Sequence, residues 1–79
     1  MRYVFDIETN GFLHLCDKVH CIVLKDIDTG EILTPNNEDA IKLLEEAELI
    51  IGHNIIKFDI PVLEKLYSAT FKGKIFDTL

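Results

Sequence analysis

The sequence predicts an α/β domain built on a mixed β-sheet, and three features of the chain predict this class. Residues 2–8 and 19–34 contain the apolar and β-branched runs that are typical of antiparallel strands. Residues 37–48 and 59–68 place apolar side chains at helical spacing. A short apolar strand at 49–52 follows the first helix, and such a crossover favours parallel pairing with the first strand.

Composition bounds the size and the class of the protein. The 79 residues are 48% hydrophobic and include five Phe and two Tyr, which is enough for one small core. The net charge of -6 argues against a protein that coats nucleic acid, because such proteins are basic. No apolar run approaches the ~20 residues of a membrane span, and Asp6 and Glu8 interrupt the apolar start that a signal peptide requires. We therefore expect a soluble cytoplasmic protein with no membrane partner.

The first strand combines apolar and acidic residues. Its strand-favouring residues are Tyr3, Val4, Phe5 and Ile7. Asp6 and Glu8 are two residues apart, so their side chains point to the same face of the strand. Thr9-Asn10-Gly11 then ends the strand, which places both acids at its carboxyl end, where open α/β sheets bind ligands.

Two carboxylates held this close repel each other unless a cation lies between them. Hard oxygen ligands on one face are suited to Mg²⁺ or Mn²⁺. From these residues alone, a second interpretation stays open. Asp6 and Glu8 would then be the polar side of an edge strand, alternating with buried Phe5 and Ile7.

Residues 19–27 and 31–34 are predicted to form a hairpin. The intervening residues 28–30, Asp-Thr-Gly, are a turn sequence. With residues 2–8 these segments are expected to form three antiparallel strands. The parallel strand at 49–52 completes the predicted sheet.

The cysteines and two of the histidines are close in sequence, at His14, Cys16, His20 and Cys21. This spacing matches no compact zinc finger, and adjacent residues of a strand point to opposite faces. We therefore expect both cysteines to be reduced and free of metal.

The first helix is expected at 37–48, with Asn36 as the cap and acids in its first turn. Its predicted core side consists of Ala40, Ile41, Leu43, Leu44 and Ala47. The second helix is expected at 59–68, with Pro61 in its first turn. Its predicted core side consists of Ile60, Leu63, Leu66 and Tyr67. Residues 75–78 are predicted to begin a further strand.

The predicted elements bring several polar residues to one region. Asn54 follows the parallel strand, and Asp59 lies at a helix start, where the helix dipole is expected to favour its ionised form. Together with Asp6 and Glu8, Asp59 would make three carboxylates in one cleft. Such a cleft needs divalent metal at neutral pH, and two metals can promote phosphodiester hydrolysis.

Two motifs resemble a known family. Residues 5–11, Phe-Asp-Ile-Glu-Thr-Asn-Gly, resemble the first motif of the DEDD 3′–5′ exonucleases. Residues 52–63, Gly-His-Asn-Ile-Ile-Lys-Phe-Asp-Ile-Pro-Val-Leu, resemble the second. Four residues separate Asn54 from Asp59, where most members have three, and this spacing resembles the proofreading domain of phage family A DNA polymerases. The resemblance covers nearly the whole chain.

The resemblance implies an RNase H-like fold and a two-metal site that uses Mg²⁺ or Mn²⁺. By this resemblance Asp6 would bridge both ions, Glu8 would bind one of them, and Asp59 would orient the second ion through water. Thr9 and Asn54 would hold the 3′-terminal nucleotide of single-stranded DNA. Phe12 or Leu13 would wedge against the base of this nucleotide. His53, next to Asn54, is expected to be structural and not catalytic.

One departure qualifies this prediction. The third motif of the family, with a Tyr or His and a final Asp ligand, has no match in residues 1–79, and Asp77 is interpreted as a polar strand-end residue. The chain is therefore expected to be the N-terminal part of an exonuclease domain and nearly inactive alone. The alternative is a non-catalytic piece that binds metal or pairs with the rest of the domain, or self-associates. A third possibility is an unrelated α/β interaction domain.

Overall fold

The computed structural model describes residues 1–9 and 19–79, so Phe12, Leu13, His14 and Cys16 lie outside the described residues. The strands in the described part are β1 (Arg2–Thr9), β2 (Val19–Asp26), β3 (Ile32–Leu33), β4 (Leu49–Gly52) and β5 (Lys74–Asp77). The helices there are α1 (Asn37–Glu46), a π-helix (Ile55–Asp59) and α2 (Ile60–Tyr67). The predicted α/β class is confirmed.

Within the described residues, five strands form one sheet in the order β3-β2-β1-β4-β5. β2 pairs antiparallel with both β1 and β3, and β4 pairs parallel with β1, as predicted. The further strand predicted to begin at 75–78 is confirmed as β5, and it pairs in parallel with β4, so β4 is not the single parallel strand that was predicted. The apolar pair Ile75-Phe76 of β5 extends the sheet by one strand. The finer RNase H-like assignment stays a prediction.

Both helices begin and end through local features of the sequence. The Asn36 side chain accepts a hydrogen bond from the amide of Asp39 at 2.9 Å, which confirms the predicted cap of α1. α1 ends because Ala47 turns to an extended conformation. α2 ends at Ser68, whose left-handed backbone closes the last turn through the carbonyl of Glu64. In the part of the chain that the structure describes, none of the helices has the length and apolar character to cross a membrane.

The helices pack on one face of the sheet. The buried cluster joins alternate β1 residues with side chains of both helices; they include Tyr3, Phe5, Ile7, Ile41, Leu44, Val62 and Leu63. Two predicted core positions are wrong, because Leu43 is 36% exposed and Tyr67 is 37% exposed. Tyr67 instead lies at the domain surface, where its hydroxyl accepts a hydrogen bond from the side-chain Nδ2 of Asn37 at 3.2 Å.

In the described part of the chain, the opposite face of the sheet is open. Along it, one residue from each strand lies in register across the five described strands, in the order Ile32, Lys25, Val4, Ile51 and Phe76. Val4 is 40% exposed and Phe76 is 58% exposed, although parallel strands are usually covered on both faces. We call these five residues the open-face row. Asp6 and Glu8 lie on the same face, toward the carboxyl end of β1.

The β2–β3 turn lies at the other end of the sheet. Asp26 is buried, and its Oδ1 accepts hydrogen bonds from the amides of Asp28 at 2.9 Å and Thr29 at 3.3 Å. Gly30 follows with φ of 77°, a conformation that favours glycine. The predicted hairpin is therefore confirmed, and a buried carboxylate holds its turn.

Candidate functional site

Asp6 and Glu8 are exposed on the open face, at the carboxyl-terminal half of β1. The interpretation of an edge strand is wrong, because β1 is the central strand of the described sheet. β4 pairs with β1 from Arg2 to Val4, whereas β1 continues to Thr9. The half of β1 that contains the two acids therefore extends past the end of β4.

The chain leaves β4 through a tight turn that leads into the π-helix. Asn54 adopts a left-handed backbone conformation, with φ of 58° and ψ of 31°, which Asn tolerates better than most residues. The amide of Ile60 donates to the carbonyl of Ile55, five residues earlier. Gly52 precedes the turn, and a Cβ at this position would collide with the Ile55 side chain. The wide helical turn then brings the chain to Asp59.

The Asp77 carboxylate, at the end of β5, holds the start of the π-helix. Its Oδ1 accepts hydrogen bonds from the amides of Asn54 at 2.8 Å and Leu79 at 2.9 Å, and its Oδ2 accepts from the amide of Ile56 at 2.9 Å. These donors, first of all the Ile56 amide, hold the pKa of the Asp77 carboxyl below its usual range. The Asn54 side chain makes no capping bond, so Asp77 supplies the cap from another strand.

Asp59 is the last residue of the π-helix and is only 5% exposed. The amide of Ile7 donates to its carboxylate, in the part of β1 that extends past β4. Burial, and next the negative charge of Asp6, raise the pKa of Asp59 to about 7, although the Ile7 amide acts in the opposite direction. Asp6 and Asp59 are therefore close enough to repel each other.

The prediction that the helix dipole favours ionised Asp59 is wrong, because the pKa of Asp59 is raised and not lowered. A carboxylate at a helix start gains about 0.3–1 kcal/mol from the dipole. Burial without a compensating cation costs several kcal/mol. The side chain also makes no capping hydrogen bond to α2, so the cost of burial decides the pKa of Asp59.

Two acceptor atoms in this region are buried and have no hydrogen-bond partner among residues 1–9 and 19–79: Asn54 Oδ1 and Asp59 Oδ2. Leaving a buried polar atom unpaired costs roughly 1–3 kcal/mol. The Asn54 oxygen can only accept hydrogen bonds or bind a cation, and the Asp59 oxygen does the same when the carboxyl is ionised. Together with the nearby charge of Asp6, the Asp59 oxygen has the chemistry that Mg²⁺ and Mn²⁺ prefer.

The structure does not gather the full predicted ligand set. Among residues 1–9 and 19–79, no group of three or more His, Cys, Asp or Glu side chains is arranged to hold a metal ion. Asp6 and Asp59 interact, but Glu8 does not join both of them in such a group. The carboxylate oxygens of Asp6 and Asp59 are suitable ligands for a divalent cation. The site of three carboxylates stays a prediction.

The other predicted site residues lie around this region or outside the described residues. Thr9 ends β1, where the register with β2 shifts, and Asn54 begins the π-helix. His53 is exposed, with its Nδ1 3.2 Å from the hydroxyl of Thr78, a contact that supports a structural role. Cys21 is a free, exposed thiol. The wedge predicted at Phe12 or Leu13 falls in residues 10–18 and is not described.

Sequence reasoning missed the role of Asp77. It was interpreted as a polar strand-end residue, whereas its two oxygens accept three backbone amides. A signal was available in the spacing of Asn54 and Asp59, because an extra residue in a helical turn is typical of a π-helix. A widened turn needs a cap, and the sequence places no second acid near its start.

The fold and the acidic strand end define a mixed α/β segment with a candidate cation site. This segment is similar to a known protein: over 70 residues it is 40% identical to the DNA-directed DNA polymerase of Escherichia phage T7. The similarity covers 80% of this chain and 10% of the polymerase, so the chain spans about a tenth of that relative's length. No family model matches the chain. The identity supports an origin in a phage DNA polymerase and does not single out the exonuclease domain.

Proposed function

We propose that the chain is part of a 3′–5′ proofreading exonuclease domain of a phage DNA polymerase and contributes Asp6, Glu8 and Asp59 to a divalent-cation site. One observation carries this proposal. A buried oxygen of Asp59 has no hydrogen-bond partner in the described part of the chain and lies in the field of Asp6. Two repelling carboxylates, one of them buried, are unfavourable unless one of them is protonated or a cation binds between them, and only the cation lets both stay ionised. The identity with a phage polymerase and the two sequence motifs favour the same assignment.

Each residue has a role in this proposal. Asp6 and Asp59 supply charged oxygens, and Glu8 adds a third from the open face. A bound divalent cation, two in a complete domain, supplies positive charge and an activated water for hydrolysis of a phosphodiester. Thr9 and Asn54 flank the acids and would hold the 3′-terminal nucleotide of single-stranded DNA. The unpartnered Oδ1 of Asn54 supports this role, because it is an acceptor awaiting a donor.

We expect Mn²⁺ to bind near Ile7 and to require both acids. Asp6→Asn and Asp59→Asn should each weaken Mn²⁺ binding by more than about tenfold, because each removes a charged oxygen. Paramagnetic broadening of the Ile7 amide signal during Mn²⁺ titration measures the affinity. Glu64→Gln is the matched control, because Glu64 is an exposed acid on α2.

Two outcomes would count against the proposal. Unchanged Mn²⁺ affinity in Asp6→Asn would rule out the site, and equal weakening in Glu64→Gln would reduce it to a general charge effect. A short oligothymidine with a free 3′-OH, added with Mg²⁺, tests the nucleotide part. It should shift the Asn54 side-chain signals more than the same oligothymidine with a 3′-phosphate.

A second candidate function is a non-catalytic piece that binds a partner through its sheet. The open face favours this candidate, because it carries exposed apolar side chains on parallel strands. The partner in this case is the remainder of the domain or a second copy of the chain. Large exposed apolar patches are typical of interaction sites.

We expect concentration-dependent self-association of the chain through the open-face row. Phe76→Ser should shift the equilibrium toward monomer, because Phe76 is 58% exposed on that row. Light scattering over a concentration series measures the change. Leu43→Ser is the control, because Leu43 is a partly exposed apolar residue of α1, on the helix layer. A chain that stays monomeric at millimolar concentration would contradict this expectation.

A further inference from the structure

Asp77 links the edge strand β5 to the segment that contains Asn54 and Asp59. We propose that Asp77 is a positioning residue for the candidate cation site and acts through the π-helix. The inference rests on the proposed function, because it concerns the same site. Asp77 belongs to neither of the two sequence motifs, and it makes its contacts through backbone amides.

Asp77 caps the start of the π-helix with both of its carboxylate oxygens. The two oxygens of one carboxylate accept the amides of Asn54 and Ile56, at 2.8 Å and 2.9 Å. Amides two residues apart at a helix start have no partner within the helix. Both bonds form with Asn54 turned away from β4 in its left-handed conformation. Asp77 therefore selects the conformation in which the chain leaves the sheet.

Strand pairing and backbone hydrogen bonds anchor Asp77 itself. Asp77 lies in register with Gly52 at the end of the parallel pair of β4 and β5. The next residue, Thr78, donates its amide to the carbonyl of Gly52 at 3.0 Å. The amide of Leu79 donates back to the Asp77 carboxylate at 2.9 Å. The two residues that follow Asp77 thus hold the cap, and the pairing with Gly52 fixes it relative to β4.

Hydrogen bonds within the π-helix connect the capped amides to Asp59. The carbonyl of Asn54 accepts the amide of Phe58 at 3.2 Å, and that of Ile55 accepts the amide of Ile60. Only one turn of helix therefore separates the capped amides from Asp59. A shift at Asn54 or Ile56 moves the Asp59 carboxylate relative to β1. Groups that orient a ligand in this way affect metal affinity without contact to the metal.

The test compares Asp77→Asn with Asp26→Asn. Asp77→Asn replaces one accepting oxygen with an NH₂ group, which opposes one of the two capped amides. Asp26→Asn makes the same chemical replacement at a buried carboxylate of the distant hairpin turn, where Oδ1 alone accepts both backbone amides, so it measures the general effect of removing a carboxylate charge. We expect Mn²⁺ affinity to fall by about tenfold or more in Asp77→Asn and by less than about twofold in Asp26→Asn. The readout is broadening of the Ile7 amide signal at 10 °C, with folding verified by the dispersion of the β-sheet amide signals.

Asp77→Glu keeps both oxygens and is the second variant. It should recover part of the Mn²⁺ affinity lost in Asp77→Asn, together with the amide shifts of Asn54 and Ile56. Equal Mn²⁺ affinity in wild type and Asp77→Asn would overturn the positioning role. Loss of the folded state in both Asp77 variants would also overturn it, because Asp77 would then serve the fold as a whole. Failure of the wild-type chain to bind Mn²⁺ would instead overturn the proposed function.

Discussion

Asp59→Asn should gain stability over the wild-type chain as the pH rises, by about 3 kcal/mol between pH 4 and pH 7 in the absence of divalent cations. Burial and Asp6 raise the pKa of Asp59 to about 7 in the folded chain, against an ordinary value of 3.8. Between these values the folded chain holds a proton that the unfolded chain has released. Wild-type stability therefore falls by about 1.4 kcal/mol for each pH unit in the middle of this window, and less steeply near each of the two pKa values. Asn carries no charge at any pH in this range, so the variant escapes the fall.

Urea unfolding at pH 4, 5, 6, 7 and 8 in EDTA measures the difference between Asp59→Asn and wild type. Glu64→Gln is the control, and its difference from wild type should stay within about 0.5 kcal/mol at every pH, because Glu64 is exposed. Addition of Mn²⁺ should reduce the loss of wild-type stability at high pH, because bound cation stabilises the ionised carboxylate. A difference between Asp59→Asn and wild type that does not change with pH would show that Asp59 is ionised throughout the range.

The sequence predicts the sheet well because its signals are local. Alternation in β1, the turn at residues 28–30 and the Asn36 cap each depend on residues within one element. The parallel pairing of β4 follows from the connection through α1, since a strand reached by a helix crossover runs in the same direction. These features need no knowledge of distant contacts, and the structure confirms them.

The site is less predictable because it depends on contacts between distant segments. Asp59 is buried against the end of β1, and its pKa depends on Asp6, 53 positions earlier. The position of Asp59 at a helix start alone predicts a lowered pKa, which is the opposite direction. The role of Asp77 depends on the pairing of β4 with β5, and a single sequence does not specify this register. The one local hint was the widened spacing between Asn54 and Asp59, which the π-helix accommodates.

Gly73→Ala should destabilise the chain by more than about 3 kcal/mol. Gly73 lies directly before β5, and a Cβ there would overlap the carbonyl of Ala47 and the backbone of Glu48. These are backbone atoms at the junction of α1 and β4, and the amide of Lys74 bonds the Glu48 carbonyl at 3.0 Å beside them. The strain can be relieved only if the start of β5 moves away from β4. Thermal and urea unfolding, compared with wild type, measure the loss.

Gly30→Ala separates this clash from the general cost of replacing a glycine. Gly30 has a φ of 77°, and apart from its chain neighbours no described residue has a heavy atom within 4 Å of its added Cβ, so the expected loss is only about 1 kcal/mol. The two variants should also differ at the cation site. Movement of β5 withdraws Asp77 from the amides of Asn54 and Ile56, so Gly73→Ala should weaken Mn²⁺ binding wherever it remains folded, whereas Gly30→Ala should not. Equal losses of stability in the two variants would show that the chain before β5 yields easily, and the edge strand would then be a poor anchor for the cap.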